Sequence, residues 1–291
     1  MTLLTNKRVV ILGASSGIGW RIAELFADRR QAQKGSGLAL HVFAPDSDAG
    51  NMLAATVLEL HERLAAALFA AGIQLLPDAR TAHAEGGKLA QVCLLAADRV
   101  AVGVLPARAA PSQFPGGRQR FKKPKDAPAR SALKLTEALA WLGHGPQAGE
   151  VCVDLGAAPG GWSWQLASRG LKVTAVDNGP LAASALATGL IEHRRADGFS
   201  WKPKKPVEWL VCDMVEQPSR IAPLIADWLA TGRCRRSIFN LKLPMKRRHD
   251  EVERCRALID HRLAAANIKY VLRIKHLYHD REEVTCYLAR R

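Results

Sequence analysis

Val151-Cys-Val-Asp-Leu-Gly-Ala-Ala-Pro-Gly-Gly-Trp162 joins an apolar run that ends in an acid to a glycine-rich turn and the start of a helix. Glycines let the backbone approach a ligand closely, and the first turn of a helix presents free N–H groups. The spacing matches neither the G-x-G-x-x-G of dinucleotide folds nor the G-K-[ST] of P-loops, so it offers no cradle for a pyrophosphate or a triphosphate. This stretch predicts a nucleotide-like ligand at the end of a buried strand.

Two further acids follow the glycine-rich loop at strand ends. Asp177 closes the next predicted strand, where a carboxylate about 20 residues on can accept both hydroxyls of a ribose. Asp197 ends the short strand after that. Together with the loop Asp154–Trp162, these acids suit adenosine that bears a sulfonium side chain, and we expect S-adenosylmethionine as the cofactor.

Strands and helices alternate through the rest of the C-terminal half. The predicted strands are Val151–Asp154, Val173–Asp177, Val207–Asp213, Ser237–Leu243, Tyr270–Lys275 and Val284–Ala289. The predicted helices are Ser131–Leu142, Trp162–Arg169, Leu181–Gly189, Arg220–Gly232 and Glu251–Ala266. Such alternation indicates βαβ crossovers, hence an α/β fold with a Rossmann-like, mostly parallel sheet, helices on both faces and an antiparallel last strand.

The N-terminal half predicts a smaller α/β unit. Its predicted elements are a strand Arg8–Leu12, a turn Gly13–Gly19, a helix Ile22–Arg30, a strand Leu38–Phe43, a turn Pro45–Gly50, a helix Leu53–Ala71 and two apolar runs, Leu89–Ala96 and Val100–Leu105. A stretch rich in Pro, Gly and cations follows and predicts a linker. We expect four segments: residues 1–37, 38–105, a basic linker 106–130 and the large domain 131–291.

Charge and cysteine content narrow the class of protein. The 42 Lys+Arg residues against 27 Asp+Glu give a net charge of +15, which favours a nucleic-acid partner over a membrane. The six scattered cysteines form no C-x-x-C pair, which indicates reduced thiols and a cytoplasmic protein. Neither a signal peptide nor a run of about 18 apolar residues is visible, so no membrane association is expected.

Several basic clusters are candidates for phosphate contacts, and some indoles for base stacking. The clusters are Arg118/Arg120/Lys122/Lys123/Lys125/Arg130 in the linker, Lys202/Lys204/Lys205, Arg233/Arg235/Arg236 and Lys246–Arg248. The indoles are Trp162, Trp164, Trp201 and Trp209, and indoles near apolar strands are more often part of the core.

The candidate catalytic residues lie where strands end, because function in open α/β sheets gathers outside the carboxyl ends of the strands. Asp213 ends one predicted strand and Lys242 lies near the end of the next. If the last strand is antiparallel, its start brings Glu282 or Glu283 to the same edge. Lys134 lies on the helix before the cofactor strand.

The residue types at this edge favour methyl transfer to a ribose hydroxyl. No Asn/Asp-Pro-Pro-Tyr/Phe tetrapeptide follows the fourth strand and no loop cysteine is poised to attack a base carbon, which argues against base methylation. A hydroxyl needs a base, and a lysine serves if desolvation and a neighbouring cation such as Lys134 lower its pKa towards neutrality. We assign Lys242 as the general base, because placing a lysine in an otherwise apolar strand costs stability unless the residue has a function.

Strings in chain order then resemble the bacterial 23S rRNA ribose 2′-O-methyltransferases of the RlmM type, relatives of the FtsJ/RrmJ methyltransferases. They are Asp126-Ala-Pro-Ala-Arg-Ser-Ala-Leu-Lys-Leu135, Asp154-Leu-Gly-Ala-Ala-Pro-Gly-Gly-Trp162, Val176-Asp-Asn-Gly-Pro180, Ala196-Asp-Gly-Phe199, Val211-Cys-Asp-Met-Val-Glu216, Ile238-Phe-Asn-Leu-Lys-Leu-Pro-Met-Lys246 and Leu277-Tyr-His-Asp-Arg-Glu-Glu-Val284.

The resemblance implies a Lys-Asp-Lys-Glu tetrad of Lys134, Asp213, Lys242 and Glu283, with Lys242 as proton acceptor. It implies a cytidine in the peptidyl-transferase region of 23S rRNA as substrate, methylated before the large subunit is fully assembled. The implied cofactor contacts are Ser131, Ala158, Pro159, Gly160, Gly161, Asp177, Asp197 and Asp213. The glycine-rich loop itself adds Gly156 and Trp162 as candidates. We also expect a monomer and no metal site.

The resemblance covers Leu38 to Arg291. Within it, Ala44-Pro-Asp-Ser-Asp-Ala-Gly50 resembles the later part of the family's THUMP domain, an RNA-binding module. Residues 1–37 match neither the family's ferredoxin-like domain nor the start of THUMP. We therefore expect a partial THUMP-like domain before the methyltransferase domain.

Two rival interpretations are weaker. Gly13-Ala-Ser-Ser-Gly-Ile-Gly19 resembles the cofactor turn of NAD(P)-dependent short-chain dehydrogenases, but none of Tyr270, Tyr278 and Tyr287 is followed by a lysine four places on, as their Tyr-x-x-x-Lys requires. The other is an RNA-binding protein without catalysis. The presence of all four tetrad residue types argues against it.

Overall fold

Two β-sheets organise the computed structural model, which describes residues 10–13, 37–119, 121–280 and 282–291. The chain divides into two compact units, residues 1–119 and residues 120–291, and each holds one sheet. All six cysteines are free thiols, and five of them are buried, as predicted for thiols packed as small apolar groups. Among the described residues, no helix has the length and apolar character needed to cross a membrane.

The N-terminal unit contains a four-stranded sheet. Its strands are β1 (Val10–Gly13), β2 (Leu38–Phe43), β3 (Lys88–Ala96) and β4 (Arg99–Pro106). Their order is β1-β4-β3-β2, with β2 parallel to β3 and the other pairs antiparallel. The strands predicted from Leu38 onward are confirmed. The predicted first strand is found at β1, whereas the Gly13–Gly19 turn, apart from Gly13, and the helix Ile22–Arg30 lie outside the described residues.

Among the described residues of this unit, three α-helices accompany the sheet: α1 (Asp48–Met52), α2 (Ala54–Ala70) and α3 (Ala79–Glu85). α2 confirms the predicted long helix and packs Leu64 and Leu68 into the unit's core. The predicted turn Pro45–Gly50 is wrong in its second half, where α1 begins because the Ser47 hydroxyl accepts a hydrogen bond from Gly50 N–H. α3 was not predicted, since seven residues carry too little apolar periodicity to reveal a helix.

The C-terminal unit contains a seven-stranded sheet. Its strands are β5 (Val151–Leu155), β6 (Lys172–Val176), β7 (Ile191–Arg194), β8 (Val207–Cys212), β9 (Cys234–Lys242), β10 (Tyr270–Lys275) and β11 (Glu283–Arg290). The order is β10-β11-β9-β8-β5-β6-β7, and the pairs from β9 to β7 are parallel. β11 is antiparallel to both neighbours, which confirms the predicted antiparallel last strand.

Helices cover both faces of this sheet, as predicted. They are α4 (Ala132–Leu142), α5 (Gly161–Ala167), α6 (Ala183–Leu186), α7 (Pro218–Ala230) and α8 (Arg248–Ala265). Strand side chains alternate between two cores because successive residues point to opposite faces. One core packs Leu210 and Phe239 with α7 and α8, and the other packs Trp209 and Ile238 with α4 and α5.

Two predicted elements differ in extent. The helix expected over Leu181–Gly189 is reduced to α6, and Gly189 after it takes a positive φ of 69°. Asp197 lies three residues beyond the end of β7 instead of ending the strand. Within the predicted linker the structure has two short 3₁₀ turns, Ala107–Ala109 and Pro115–Gly117.

Candidate active site

The predicted strand ends meet at one edge of the seven-stranded sheet. β5, β6, β8 and β9 are parallel neighbours or near neighbours, so their carboxyl ends face the same side. The loops after β5 and β6 carry the glycine-rich stretch and Asp177, and the ends of β8 and β9 carry Asp213 and Lys242. Antiparallel β11 begins at this edge with Glu283, which lies opposite Lys242 in register.

Glycine is required at position 156 of the cofactor loop. Gly156 has a φ of 74°, and a Cβ atom there would lie 2.2 Å from Cγ of Met214. Its N–H donates to Val176 O at 3.0 Å, which ties the loop to the end of β6. The backbone of Gly156 therefore lies directly against the Met214 side chain and the end of β6.

Backbone donors fix the Asp177 carboxylate. Its Oδ2 accepts from Ala158 N–H at 3.0 Å and its Oδ1 accepts from Gly179 N–H at 2.7 Å. A carboxylate oxygen has two lone pairs, so each oxygen retains acceptor capacity after these bonds. Two fixed acceptors suit the adjacent hydroxyls of a ribose.

A cleft of about 360 Å³ opens between these loops. It is lined by Gly156, Ala158, Val176, Asp177, Asn178, Ala196, Asp197, Gly198, Phe199, Asp213, Met214, Val215 and Glu216. Four of these side chains are carboxylates, and the described lining includes no lysine or arginine. Such a lining disfavours phosphate groups and favours a ligand with positive charge, as the sulfonium and ammonium of S-adenosylmethionine provide. The residues present therefore fit this cofactor.

The predicted cofactor contacts fall into two groups. Five line the cleft: Gly156, Ala158, Asp177, Asp197 and Asp213. The other five lie outside its lining: Ser131, Pro159, Gly160, Gly161 and Trp162.

Members of the second group join the starts of α4 and α5. The buried Trp162 indole donates to Ser131 O at 2.9 Å, and a Cβ on Gly161 would lie 2.3 Å from Ser131 Oγ. Their contacts hold the glycine loop against α4, so the geometry gives them a supporting place beside the cleft.

The four predicted catalytic residues form one cluster of alternating charges. Lys134 Nζ lies 3.2 Å from Asp213 Oδ2 and 2.5 Å from Glu283 Oε1. Lys242 Nζ lies 2.5 Å from Asp213 Oδ1 and also contacts Glu283 Oε2. Each ammonium thus bridges both carboxylates, and the two positive and two negative charges balance in a largely buried place.

The structure distinguishes the two neighbouring glutamates that the sequence left open. The Glu283 side chain is 5% exposed and contacts both lysines. The Glu282 side chain is 59% exposed and pairs with Arg248 at 3.0 Å. Strand alternation explains the difference, because β11 begins with Glu283 on the face of Lys242.

The expectation that the pKa of Lys242 falls towards neutrality is wrong. Burial acts to lower the pKa, but the carboxylates of Asp213 and Glu283 outweigh burial and raise the pKa above its ordinary value. The two contacting carboxylates stabilise the ammonium form. Lys242 is therefore held in its charged form in this arrangement.

Asp154, the acid at the end of β5, is buried beneath the site. Its Oδ2 accepts from the Ser163 hydroxyl at 2.6 Å, while Oδ1 has no hydrogen-bond partner among the described residues. Burial raises the pKa of Asp154 to about 7, and the Asp213 and Asp177 carboxylates add to the rise. This carboxyl is consequently partly neutral near pH 7.

Sequence reasoning missed the polar residues behind Asp213. The Asn240 amide donates to Asp213 Oδ1 at 3.0 Å, and the buried Thr285 and Asp280 lie behind Asn240. A signal was available, since Asn240 is two residues before Lys242 in an apolar strand and so shares its face. The sequence did not show that Thr285 of β11 would contact Asn240.

The predicted basic clusters do not form one surface: two lie at opposite ends of β9 in the seven-stranded sheet, and Arg118 lies in the N-terminal unit. Lys246–Arg248 are exposed and follow the carboxyl end of β9, on the side of Lys242. Arg233, Arg235 and Arg236 lie at its amino end, roughly 25 Å away at the rise of a strand. In the N-terminal unit, Arg118 is engaged by Asp46 at 3.4 Å. Arg120 is outside the described residues.

The indoles considered for base stacking belong mainly to the core. Trp162 and Trp209 are buried, and Trp209 Nε1 donates to Glu150 Oε2 at 2.8 Å. Trp164 and Trp201 are half-buried, and Trp201 stacks on the buried Trp228. The structure thus favours the packing role over a stacking surface.

The fold is that of a Rossmann-like methyltransferase, and the FtsJ-like methyltransferase family model matches residues 127–241. Ribosomal RNA large subunit methyltransferase M of Aromatoleum aromaticum is 62% identical over 193 residues, which are 64% of this chain and 52% of that protein. The protein of that name from Xanthomonas oryzae pv. oryzae is 43% identical over 293 residues, covering 97% of this chain and 81% of that protein.

The chain belongs to the ribosomal RNA large subunit methyltransferase M family. It spans about half the length of several curated relatives that it matches. The cofactor of the methyltransferase domain is S-adenosylmethionine.

Proposed function

We propose that the protein transfers a methyl group from S-adenosylmethionine to the ribose 2′-hydroxyl of a cytidine in 23S rRNA. The observation that carries this proposal is the cluster of Lys134, Asp213, Lys242 and Glu283 at the edge of the cleft, where Asp213 is also part of the cleft lining. A ribose hydroxyl is a weakly acidic nucleophile, and the cluster offers a proton acceptor with fixed orientation beside the methyl donor's site.

Lys242 is the general base in this proposal. The cofactor supplies an electrophilic methyl group, and the amine of Lys242 accepts the proton that the hydroxyl loses. Asp213 and Glu283 hold Nζ of Lys242 in place, while Lys134 balances their charge. Because the raised pKa keeps most of Lys242 protonated, only its small neutral fraction accepts the proton, and the rate should follow that fraction.

The cleft residues hold the cofactor in this proposal. Asp177 binds the ribose of the cofactor through its two fixed oxygens, and Asp197 lies further along the lining. Asp213 belongs to the tetrad and also lines the cleft, so it couples the position of the methyl donor to the position of Lys242. Ser131, Pro159, Gly160, Gly161 and Trp162, which lie beside the cleft lining, remain proposed cofactor contacts.

The net charge of +15 and the names of the relatives support rRNA as the substrate. Lys246–Arg248, exposed beside the end of β9, are the basic residues best placed for its phosphates. Residues 38–105 would act as a partial THUMP-like RNA-binding domain, joined by residues 106–130 to the catalytic domain 131–291. We further propose a cytoplasmic monomer that acts before the large subunit is assembled.

The test uses rRNA from cells that lack the gene. Protein-free 23S rRNA, assembled large subunits and 16S rRNA are each incubated with the protein and S-adenosylmethionine carrying a radiolabelled methyl group. We expect label in the protein-free 23S rRNA, much less in assembled subunits and none in 16S rRNA. Equal labelling of 16S and 23S rRNA, or labelling of assembled subunits alone, would contradict protein-free 23S rRNA as the substrate.

A further inference from the structure

Two strands bring four polar side chains to one face beside the cleft. In the antiparallel pairing of β9 with β11, Lys242 lies opposite Glu283, and Asn240 lies opposite Thr285. Each of these cross-strand pairs is in contact, since Lys242 pairs with Glu283 and the Thr285 hydroxyl lies 2.9 Å from Asn240 Oδ1. Asn240 and Thr285 are fully buried, so their hydrogen bonds must be satisfied within the protein.

The orientation of the Asn240 amide follows from its neighbour Asp213. Asp213 contacts the ammonium groups of Lys134 and Lys242, so it is an ionised carboxylate without a hydrogen to donate. The NH₂ group of Asn240 must therefore face Asp213, to whose Oδ1 it donates at 3.0 Å. The carbonyl oxygen of the amide consequently faces Thr285.

The single hydroxyl hydrogen of Thr285 has two competing destinations. The hydroxyl oxygen lies 2.9 Å from the Asn240 carbonyl oxygen, and 3.1 Å and 3.0 Å from the two carboxyl oxygens of Asp280. The Asn240 oxygen has no hydrogen, so the Thr285 hydroxyl must donate to it. Asp280 can then bond to Thr285 only as a donor, which requires a neutral carboxylic acid.

The surroundings of Asp280 shift its pKa towards the neutral form that this geometry requires. Asp280 is buried, and its Oδ2 accepts from Leu277 N–H at 3.0 Å, which leaves Oδ1 to carry the proton. Burial raises the pKa of Asp280 to about 6, and Glu283 raises it too, although Leu277 N–H, the Thr285 hydroxyl and His276 lower it.

We propose that Asn240 is a positioning residue for Asp213, and that a neutral Asp280 sets its orientation through Thr285. The hydrogen bonds run in one direction: Asp280 donates to Thr285, and Thr285 donates to the carbonyl oxygen of Asn240. The NH₂ group of Asn240 in turn donates to Asp213. The amide thereby holds the carboxylate oxygen that contacts Lys242. The inference rests on the proposed function, because positioning Asp213 matters only if the tetrad does the chemistry.

The experiment measures single-turnover rates, the KM for 23S rRNA and the Kd for S-adenosylmethionine with the full-length chain. Thr285→Val keeps the shape of the side chain and removes the hydroxyl, and Thr285→Ser is its matched control. We expect Thr285→Val to lower the rate by at least ~5-fold with KM and Kd unchanged, and Thr285→Ser to stay within ~3-fold of the parent protein.

Asp280→Asn is the decisive variant, because an amide donates a hydrogen as a neutral acid does. We expect it to keep the rate within ~3-fold of the parent protein. Asn240→Asp, which sets an oxygen against Asp213, should lower the rate at least as much as Thr285→Val. It tests the same hydrogen bonds from the other strand should Thr285→Val not fold.

Two outcomes overturn the inference: an Asp280→Asn rate as low as that of Thr285→Val, which would show that Asp280 is an acceptor, or an unchanged rate in Asn240→Asp. The parent protein separates this inference from the proposed function. If it forms no 2′-O-methyl product, the proposed function fails whatever the variants do. If it forms the product and the variants do not matter, only the positioning chain fails.

Discussion

The two sides of the carboxyl edge hold their carboxylates by different means. On the side of β5 and β6, Asp177 is fixed by two backbone N–H groups at 3.0 and 2.7 Å. On the side of β8, β9 and β11, Asp213 and Glu283 are fixed by the ammonium groups of two lysines. Backbone donors stay in place when a side chain is replaced, whereas each member of the charge cluster depends on the others.

This difference predicts a division of labour that substitutions can test. A change on the Asp177 side should weaken binding of S-adenosylmethionine and leave the chemistry of bound substrate nearly intact. A change at Lys134, Lys242 or Glu283 should slow the chemical step and leave cofactor binding nearly intact, whereas Asp213 also lines the cleft and a change there should affect both. Kd and the single-turnover rate therefore separate the two sides.

The largest effect is expected for Lys242→Ala. Removing the proposed base should lower the single-turnover rate by ~10²–10⁴-fold, with the Kd for S-adenosylmethionine changed less than ~3-fold. Lys172→Ala is the matched control, since Lys172 is an exposed lysine at the amino end of β6. A Lys242→Ala rate within ~10-fold of the parent protein would show that Lys242 is not the general base.

The pH dependence is the next largest effect. Only the neutral amine of Lys242 accepts a proton, and its pKa is raised above the ordinary 10.5, so the neutral fraction grows tenfold per pH unit through the neutral and alkaline range. In Asp280→Asn, where this position cannot ionise, the single-turnover rate should rise roughly 100-fold between about pH 7 and pH 9. A plateau that begins below about pH 8 would mean that Lys242 is not the group whose deprotonation limits the rate.

Asp177→Ala should act on binding. Losing a charged acceptor for two hydroxyls costs about 1.5–3 kcal/mol, so calorimetry should find the Kd for S-adenosylmethionine raised ~10–100-fold. The rate at saturating cofactor should fall less than ~3-fold, because the tetrad is untouched. An unchanged Kd together with a collapsed rate would contradict the proposed division between the two sides.

The smallest effect concerns Asp154, which lies between the two sides on β5. Its pKa is raised from 3.8 to about 7 in the folded protein, so its ionisation destabilises the fold as pH rises towards 7. Asp154→Asn cannot ionise. The variant should gain stability relative to the parent protein by about 1.4 kcal/mol between about pH 6 and pH 8, as measured by denaturant unfolding. A stability difference that is independent of pH would show that Asp154 is not perturbed.

The two sides also differ in how far the sequence predicted them. The strand ends that bring Asp213 and Lys242 together followed from apolar runs and βαβ alternation, because parallel strands must end at one edge. The glycine loop and Asp177 followed from local spacing alone. What each residue touches within that edge depends on β9–β11 register, which the sequence does not state.

The wrong expectation for the pKa of Lys242 and the unforeseen contact of Trp162 have the same origin. A lowered pKa was expected because the neighbouring lysine was given more weight than the carboxylates of Asp213 and Glu283, and the structure places both carboxylates in contact with Lys242. Ser131 and Trp162 stay predicted cofactor contacts, and the structure adds a contact that was not foreseen, in which the indole donates to the Ser131 carbonyl outside the cleft lining. Both outcomes depend on side-chain contacts between distant segments, which motif spacing does not define.

The most direct test of the central claim is the chemical identity of the methylated nucleoside. 23S rRNA from cells without the gene is methylated by the protein, digested to nucleosides and analysed by mass spectrometry. A methyl group on ribose gives an unmodified cytosine base fragment, and we predict that this 2′-O-methylcytidine accounts for all the incorporated methyl. Methyl found on a base fragment would contradict transfer to a hydroxyl and with it the proposed role of Lys242.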